Sequence, residues 1–241
     1  MTNRYIFCMK WGTLYGAEYV NRLHSMVKRN LTLDFKMVCF TDDEKGIIDE
    51  VDCYPIPEID VPGNLPERMW KKLTTLKGDL YGLNGTALFL DLDVVIVDNI
   101  DCFFEADGDF RIIKDYNKKH RITGNSSVYR FEIGEHPYVF DYFVKNFDTI
   151  RKEHRNEQEY LTTAIHENGK LKYWPKAWCP SYKYDCNSRI PFAFWKKPII
   201  PEGAKVIIFH GEINPPKAIT GGRGKWYRYV APAPWVADHW K

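Results

Sequence analysis

The chain has 241 residues, enough for one large domain or two small ones, and 44% hydrophobic with 27% charged residues is the make-up of a packed globule, which excludes disordered, collagen-like and low-complexity architectures. Basic residues number 34 and acidic residues 32, a formal charge of +2, which leaves no electrostatic footprint for a nucleic-acid backbone and sets nucleic acid aside as a partner. Aromatic residues reach 15%, several of them in Pro-rich stretches where flat faces suit sugars or bases.

In chain order, Tyr5 to Met9 is strand-like and runs through Lys10, Trp11, Gly12, Thr13, Leu14, Tyr15 and Gly16 into a helical pattern marked by Val20, Leu23 and Val27. A second strand, Phe35 to Phe40, ends in Thr41, Asp42 and Asp43, completing a βαβ opening. A third strand is predicted at Val51 to Tyr54, after which Pro55, Pro57, Pro62 and Pro66 break regular structure until a helix starts near Glu67, with Trp70, Leu73, Leu76 and Leu80 on its buried face. Ala87 to Val97 then reads as one buried central strand, since near-continuous apolar runs belong to strands covered on both faces. Strands follow at Phe110 to Lys114, Ser127 to Phe131 and Val206 to Phe209, with helices at Tyr138 to Phe147 and Asn156 to His166. There is no internal repeat and no linker, so residues 1–241 are expected to form a single α/β domain: a mostly parallel mixed sheet flanked by helices.

No apolar stretch approaches the roughly 18 to 20 residues of a membrane-spanning helix, and the start lacks a secretion-signal core, which predicts a cytoplasmic chain. Six cysteines without a CxxC pair predict reduced thiols and no zinc site, with Cys8 and Cys39 acting as small hydrophobes. The tail from Ala231 to Trp240 lacks the basic face of an interfacial helix and is expected to pack on the domain, with peripheral contact at the inner membrane face as the alternative.

Along a strand, side chains alternate, so Asp91 and Asp93 should project on one side with Leu92 opposite. Two carboxylates in an apolar run are costly unless paired or bound to metal, and a divalent ion explains them economically. The plain alternative is a strand end turned to water.

Two families carry such a motif. Asp91, Asp93 and Val95 match the Asp-x-Asp-x-Thr/Val of haloacid dehalogenase-like phosphatases, whose first aspartate is a nucleophile, although here a βαβ unit precedes the motif and no later acidic doublet follows. More of the chain resembles the nucleotide-sugar glycosyltransferases of the GT-A fold, in particular glycogenin-like and bacterial lipopolysaccharide-type (family 8-like) enzymes. The residues that carry this are the loop Met9 to Tyr19, Lys72-Leu73 ahead of the Asp-x-Asp strand, and Asn125-Ser126-Ser127 in place of Asn-Ser-Gly. Glu157-Gln158 stands in place of an Asp-Gln pair, and Phe209-His210-Gly211 is followed by Asn214, Pro215, Pro216 and Lys217. The departures are Glu157, Ser127, the glycine directly after His210 and a disturbed Lys-Pro order.

The resemblance implies transfer of a sugar, with retention of anomeric configuration, from a nucleotide-sugar donor (UDP-linked in the related enzymes) to a glycan or glycolipid acceptor. The nucleotide-binding half would be about 1–100 and the acceptor side about 101–241. Asp91, Asp93 and His210 are then expected to hold manganese or magnesium, the imidazole favouring manganese. Lys72, with Lys217 or Lys183, would add charge at the phosphates. Met9, Lys10, Trp11, Gly12, Thr13, Tyr15 and Asp42 would border the nucleotide, with Leu92, Asn125, Ser126 and Gly211 beside the donor. Glu157 and Gln158 would face the anomeric carbon and the sugar hydroxyls. A nucleotidyltransferase usually opens with a richer glycine loop than Gly12 and Gly16 provide, and a lectin would need no acid pair.

Overall fold

The computed structural model describes residues 3–61, 68–115, 122–188, 192, 195–223 and 229–241. The elements are β1 (Arg4–Lys10), α1 (Ala17–Asn30), β2 (Lys36–Thr41), β3 (Val51–Pro55), a 3₁₀ run (Arg68–Leu76), β4 (Thr86–Leu90), β5 (Val95–Ile96), α2 (Cys102–Glu105), β6 (Phe110–Lys114), β7 (Gly124–Glu132), α3 (Pro137–Lys145), α4 (Phe147–Glu153), α5 (Glu157–Glu167), β8 (Leu171–Tyr173), β9 (Val206–Ile207), α6 (Pro215–Thr220), β10 (Gly222–Arg223), β11 (Tyr229–Val230) and α7 (Pro234–His239). Seven strands form the central sheet in the order β3-β2-β1-β4-β7-β6-β8. β1 pairs parallel with β2 and β4, β2 with β3, and β6 with β8, while β7 runs antiparallel between β4 and β6. This is the expected α/β architecture.

Alternation along the strands explains the two-sided core. Ile6, Cys8, Met37, Cys39, Leu88 and Leu90 enter one apolar layer with α1 and the C-terminal segment. Phe7, Met9, Val38, Phe40, Ala87 and Phe89 enter the other with the 3₁₀ run, α3 and α5. Cys8, Cys39 and Cys53 lie in register across β1, β2 and β3 as free thiols.

Three expectations change. The run Ala87 to Val97 is not one strand: β4 stops at Leu90, a turn carries Asp91 to Val94, and β5 pairs antiparallel with β9 in a separate ribbon. The strand predicted at Val206 to Phe209 is correspondingly short, its second half reduced to a bridge between Ser181 and Ile208. Glu67 lies outside the described residues, and from Arg68 the predicted helix is 3₁₀ rather than α. Near its end the hydroxyls of Thr74 and Thr75 donate to carbonyls three residues back, those of Lys71 and Lys72, at 2.7 and 2.8 Å, which accompanies the three-residue turn.

The tail packs as expected. Val236 and Trp240 are buried, Trp240 lies edge-on to Tyr19 at 5.1 Å, and Arg22 covers its ring at 4.0 Å. Among the described residues no helix is long and apolar enough to cross a membrane.

Arg130 pins α2 and its following loop to the sheet. Its buried guanidinium donates to the carbonyls of Phe103 at 3.0 Å, Ala106 and Gly108. Arg130→Met should strand these acceptors and lower the unfolding free energy by about 2–3 kcal/mol, read from the urea midpoint at unchanged m-value.

Candidate functional site

Because β1, β2 and β4 are parallel, their carboxyl ends share one edge of the sheet, and the segments leaving that edge carry the candidate residues. The β1–α1 loop is fastened to the end of β2: Gly12 N–H donates to Asp42 Oδ2 at 2.8 Å, and Lys10 Nζ to the Asp43 carbonyl at 2.8 Å. Gly12 sits at φ +60° with open space where a Cβ would be, so this loop presents bare backbone beside Asp42. Trp11 packs on the core rim, Thr13 is exposed, and the side chain of Met9 is buried, leaving only its backbone to offer a ligand.

The centre of the site is Lys72. Its ammonium lies 2.6 Å from Asp91 Oδ1 and 3.4 Å from both the carbonyl and the hydroxyl of Ser126. The 3₁₀ period places it there: Trp70, Leu73 and Leu76 recur every three residues on the buried face. Lys72 and Thr75 share another face, where Thr75 Oγ1 meets the hydroxyl of Tyr129 at 3.0 Å. Burial alone would lower the Lys72 pKa, but the carboxylates of Asp91 and Glu157 prevail and hold it above its ordinary value.

Glu157 and Gln158 arrive on the first turn of α5, whose N-cap Asn156 accepts from the Glu159 N–H. Glu157 is 3% exposed; its Oε1 accepts from Ser126 Oγ at 2.7 Å and its Oε2 has no hydrogen-bond partner. Burial raises its pKa, with Lys72 and the Ser126 bond opposing. Gln158 is half-buried and accepts from the Ser126 N–H at 3.4 Å. Ser126 itself lies in a β-bulge, where the β6 register jumps from Tyr129 to Asn125, and Asn125 Oδ1 accepts from the Ser127 N–H at 2.9 Å.

Asp93 does not stand in a strand beside Asp91; both acids occupy the turn after β4, where Asp91 N–H bonds the Ser127 carbonyl at 2.9 Å. The strand-end alternative therefore describes the backbone, while both side chains are half-buried and tied to partners. Asp93 Oδ2 accepts from the Tyr15 hydroxyl at 2.9 Å, and its pKa is pushed up to about 6 by burial and by the like charge of Asp91. Leu92 packs into the core, so only its backbone faces the site.

His210 lies half-buried after β9 with its ring 6.2 Å from that of Tyr184; burial lowers its pKa and favours the neutral imidazole. Lys183, Asp185, Asp115 and Asp91 are within its electrostatic reach. Tyr184 and Asp185 sit on a π-turn, Tyr182–Cys186, that periodicity does not reveal, although such turns favour functional sites. Gly211, at φ +70°, and Lys217, on the first turn of α6, are exposed, and no hydrogen bond or ion pair joins the Lys217 ammonium to the Lys72 cluster.

The resemblance implies a divalent cation at this donor set. Asp91 and Asp93 form a pair of neighbouring carboxylates whose mutual repulsion is offset by one ammonium and one phenol, which fits a hard cation. Among the described residues, however, no three His, Cys, Asp or Glu side chains are gathered into a ligating group, so His210 does not join the acid pair there.

Lys72→Met should leave Asp91 without its partner and cost about 2–3 kcal/mol in urea unfolding, the exposure of Asp91 keeping the loss below that of a fully buried pair. Adding Asp91→Asn should recover most of the loss, the coupling expected of a direct pair.

No family profile matches the chain, and no curated protein matches it in sequence. Solved structures do match in fold. The galactosyltransferase LgtC, solved with donor and acceptor sugar analogues, superposes with a TM-score of 0.59 at 12% identity, over 88% of this chain and 88% of its own. The bifunctional glycosyltransferase WbbM gives 0.60 at 9% identity, over 89% of this chain but 47% of its own length. The glycosyltransferase GlyE of Streptococcus pneumoniae gives 0.56 at 13% identity, over 95% and 58%. Together with the mixed seven-stranded sheet, these likenesses identify the fold of this chain as the GT-A glycosyltransferase fold.

Proposed function

We propose that the chain is a metal-dependent glycosyltransferase that moves a sugar from a nucleotide-sugar donor, UDP-linked in our reading, to a glycan or glycolipid acceptor with retention of configuration. The observation that carries this is the convergence of Asp91, Asp93, Lys72, Ser126, Glu157 and Gln158 at the carboxyl edge of a GT-A sheet. Glycosyl transfer breaks the bond between the anomeric carbon and a diphosphate oxygen, so the site must favour negative charge on the departing diphosphate. Asp91 and Asp93 would hold manganese or magnesium, with oxygens of the donor's diphosphate, rather than His210, at the other positions. When bound, such an ion supplies positive charge against the leaving group.

The chain's own groups have separate tasks. The Gly12 turn and Asp42 would receive the nucleoside, with Trp11 and Tyr15 alongside. Gln158, which uses its oxygen on Ser126, keeps its amide N–H₂ for a sugar hydroxyl. Glu157 is too enclosed to swing freely and would act on the sugar side from a fixed place beside Ser126. The phosphatase and nucleotidyltransferase alternatives find no comparable support. We take residues 1–241 as one functional unit and its working place as the cytoplasmic side.

The test is a thermal-shift panel of nucleoside diphosphates and their sugar conjugates with and without manganese. The matching donor with metal should raise the melting temperature by roughly 5 °C when ligand is in large excess over Kd. In calorimetry, Asp93→Ala should lose manganese-dependent binding of the nucleoside diphosphate. Full binding by that variant would overturn the metal assignment, and NMR of the product anomer reports retention or inversion.

A further inference from the structure

Large apolar side chains left in water are concentrated in one place. Among the described residues, Tyr184, Phe192, Trp195 and Ile199 are 51%, 59%, 75% and 66% exposed, half of all the exposed large hydrophobics and all within sixteen positions of sequence. The stretch 183–199 carries four basic residues and one acid. That acid, Asp185, is committed to the Ser181 N–H at 2.8 Å. Lysines lie against the rings: Lys183 Nζ is 5.0 Å from the Tyr184 centroid and Lys196 Nζ is 5.6 Å from that of Phe192.

Described residues at both ends of this stretch are fastened. Ile199 N–H bonds the Cys186 carbonyl at 3.2 Å, Pro198 is buried with its carbonyl accepting from Trp235 Nε1 at 3.0 Å, and the Phe192 carbonyl accepts from the N–H groups of Trp195 and Lys196 at 3.0 and 2.9 Å. Exposed aromatic rings with lysine ammonium groups beside them are the chemistry of the boundary between lipid headgroups and acyl chains. The excess positive charge disfavours a second copy of the same surface and favours an anionic one.

We propose that Tyr184, Phe192, Trp195 and Ile199, with Lys183, Lys196 and Lys197, form a contact surface for an anionic lipid bilayer. Tyr184 also neighbours His210, so a bilayer bound here faces the sugar-transfer site and a lipid-linked acceptor would reach it from the membrane side. That consequence rests on the proposed transferase reading; the lipid contact itself does not.

Co-sedimentation of the full chain with phosphatidylcholine vesicles, with and without added phosphatidylglycerol, tests the contact independently of sugar transfer. Binding should need the anionic lipid, weaken with salt, and fall by at least roughly tenfold in Lys196→Glu/Lys197→Glu. Phe192→Ser/Trp195→Ser should lose it similarly, while Tyr142→Ser, which alters an exposed ring on α3, should not. The lysine variant touches no buried side chain and keeps the test readable if the aromatic variant folds poorly. Equal binding to neutral vesicles, no binding to either, or a concentration-dependent dimer in light scattering that Trp195→Ser abolishes would overturn the proposal. Lipid binding that persists in Asp93→Ala, where donor binding is lost, separates this surface from the transfer site.

Discussion

The ammonium of Lys72 is the constraint around which the site is assembled. It ties together three parts of the chain: the turn after β4 through Asp91, the bulge in β7 through Ser126, and the first turn of α5 through the field of Glu157. A buried lysine is stable only where carboxylates compensate its lost hydration, and buried carboxylates need the lysine in return. The arrangement is therefore mutual: the buried Lys72 and Glu157 and the half-buried Asp91 and Asp93 sit beside one another.

Geometry of the backbone makes this meeting feasible. A 3₁₀ run with period three puts its large apolar residues on one line and Lys72 with Thr75 on another, so a single segment both seals the core and lines the site. The bulge in β7 releases Ser126 from regular pairing and turns it between Lys72 and Glu157. Parallel pairing of β1, β2 and β4 then stacks the Gly12 turn, Asp42 and the acid pair along one edge, where an open α/β sheet receives its ligands.

The enclosing surfaces divide the remaining aromatic residues into two populations. Trp70, Trp174 and Trp240 are spent inside the fold, the last covering α1. Phe192 and Trp195 stay outside on a fastened loop. Fold likeness near one-tenth identity carries the architecture and says nothing of such exposed features.

Much was legible in the amino-acid order, because hydrophobic period and turn chemistry are local. The βαβ opening, the doubly covered β4 and the helix opened by Asn156 follow from residue type and spacing, whereas Lys72, Ser126 and Glu157 were pointed to by family resemblance and their meeting with Asp91 by the structure. What spacing could not decide is where a run of apolar residues stops being a strand: Leu90 and Val95 look alike, and only the pairing of β5 with β9, over a hundred positions away, separates them. Nor could it show that Tyr15 reaches Asp93, or how far His210 stands from the acids, since a hydrogen bond across seventy-eight positions depends on how the layers close. Local order set which groups were available; long-range packing set which of them touch.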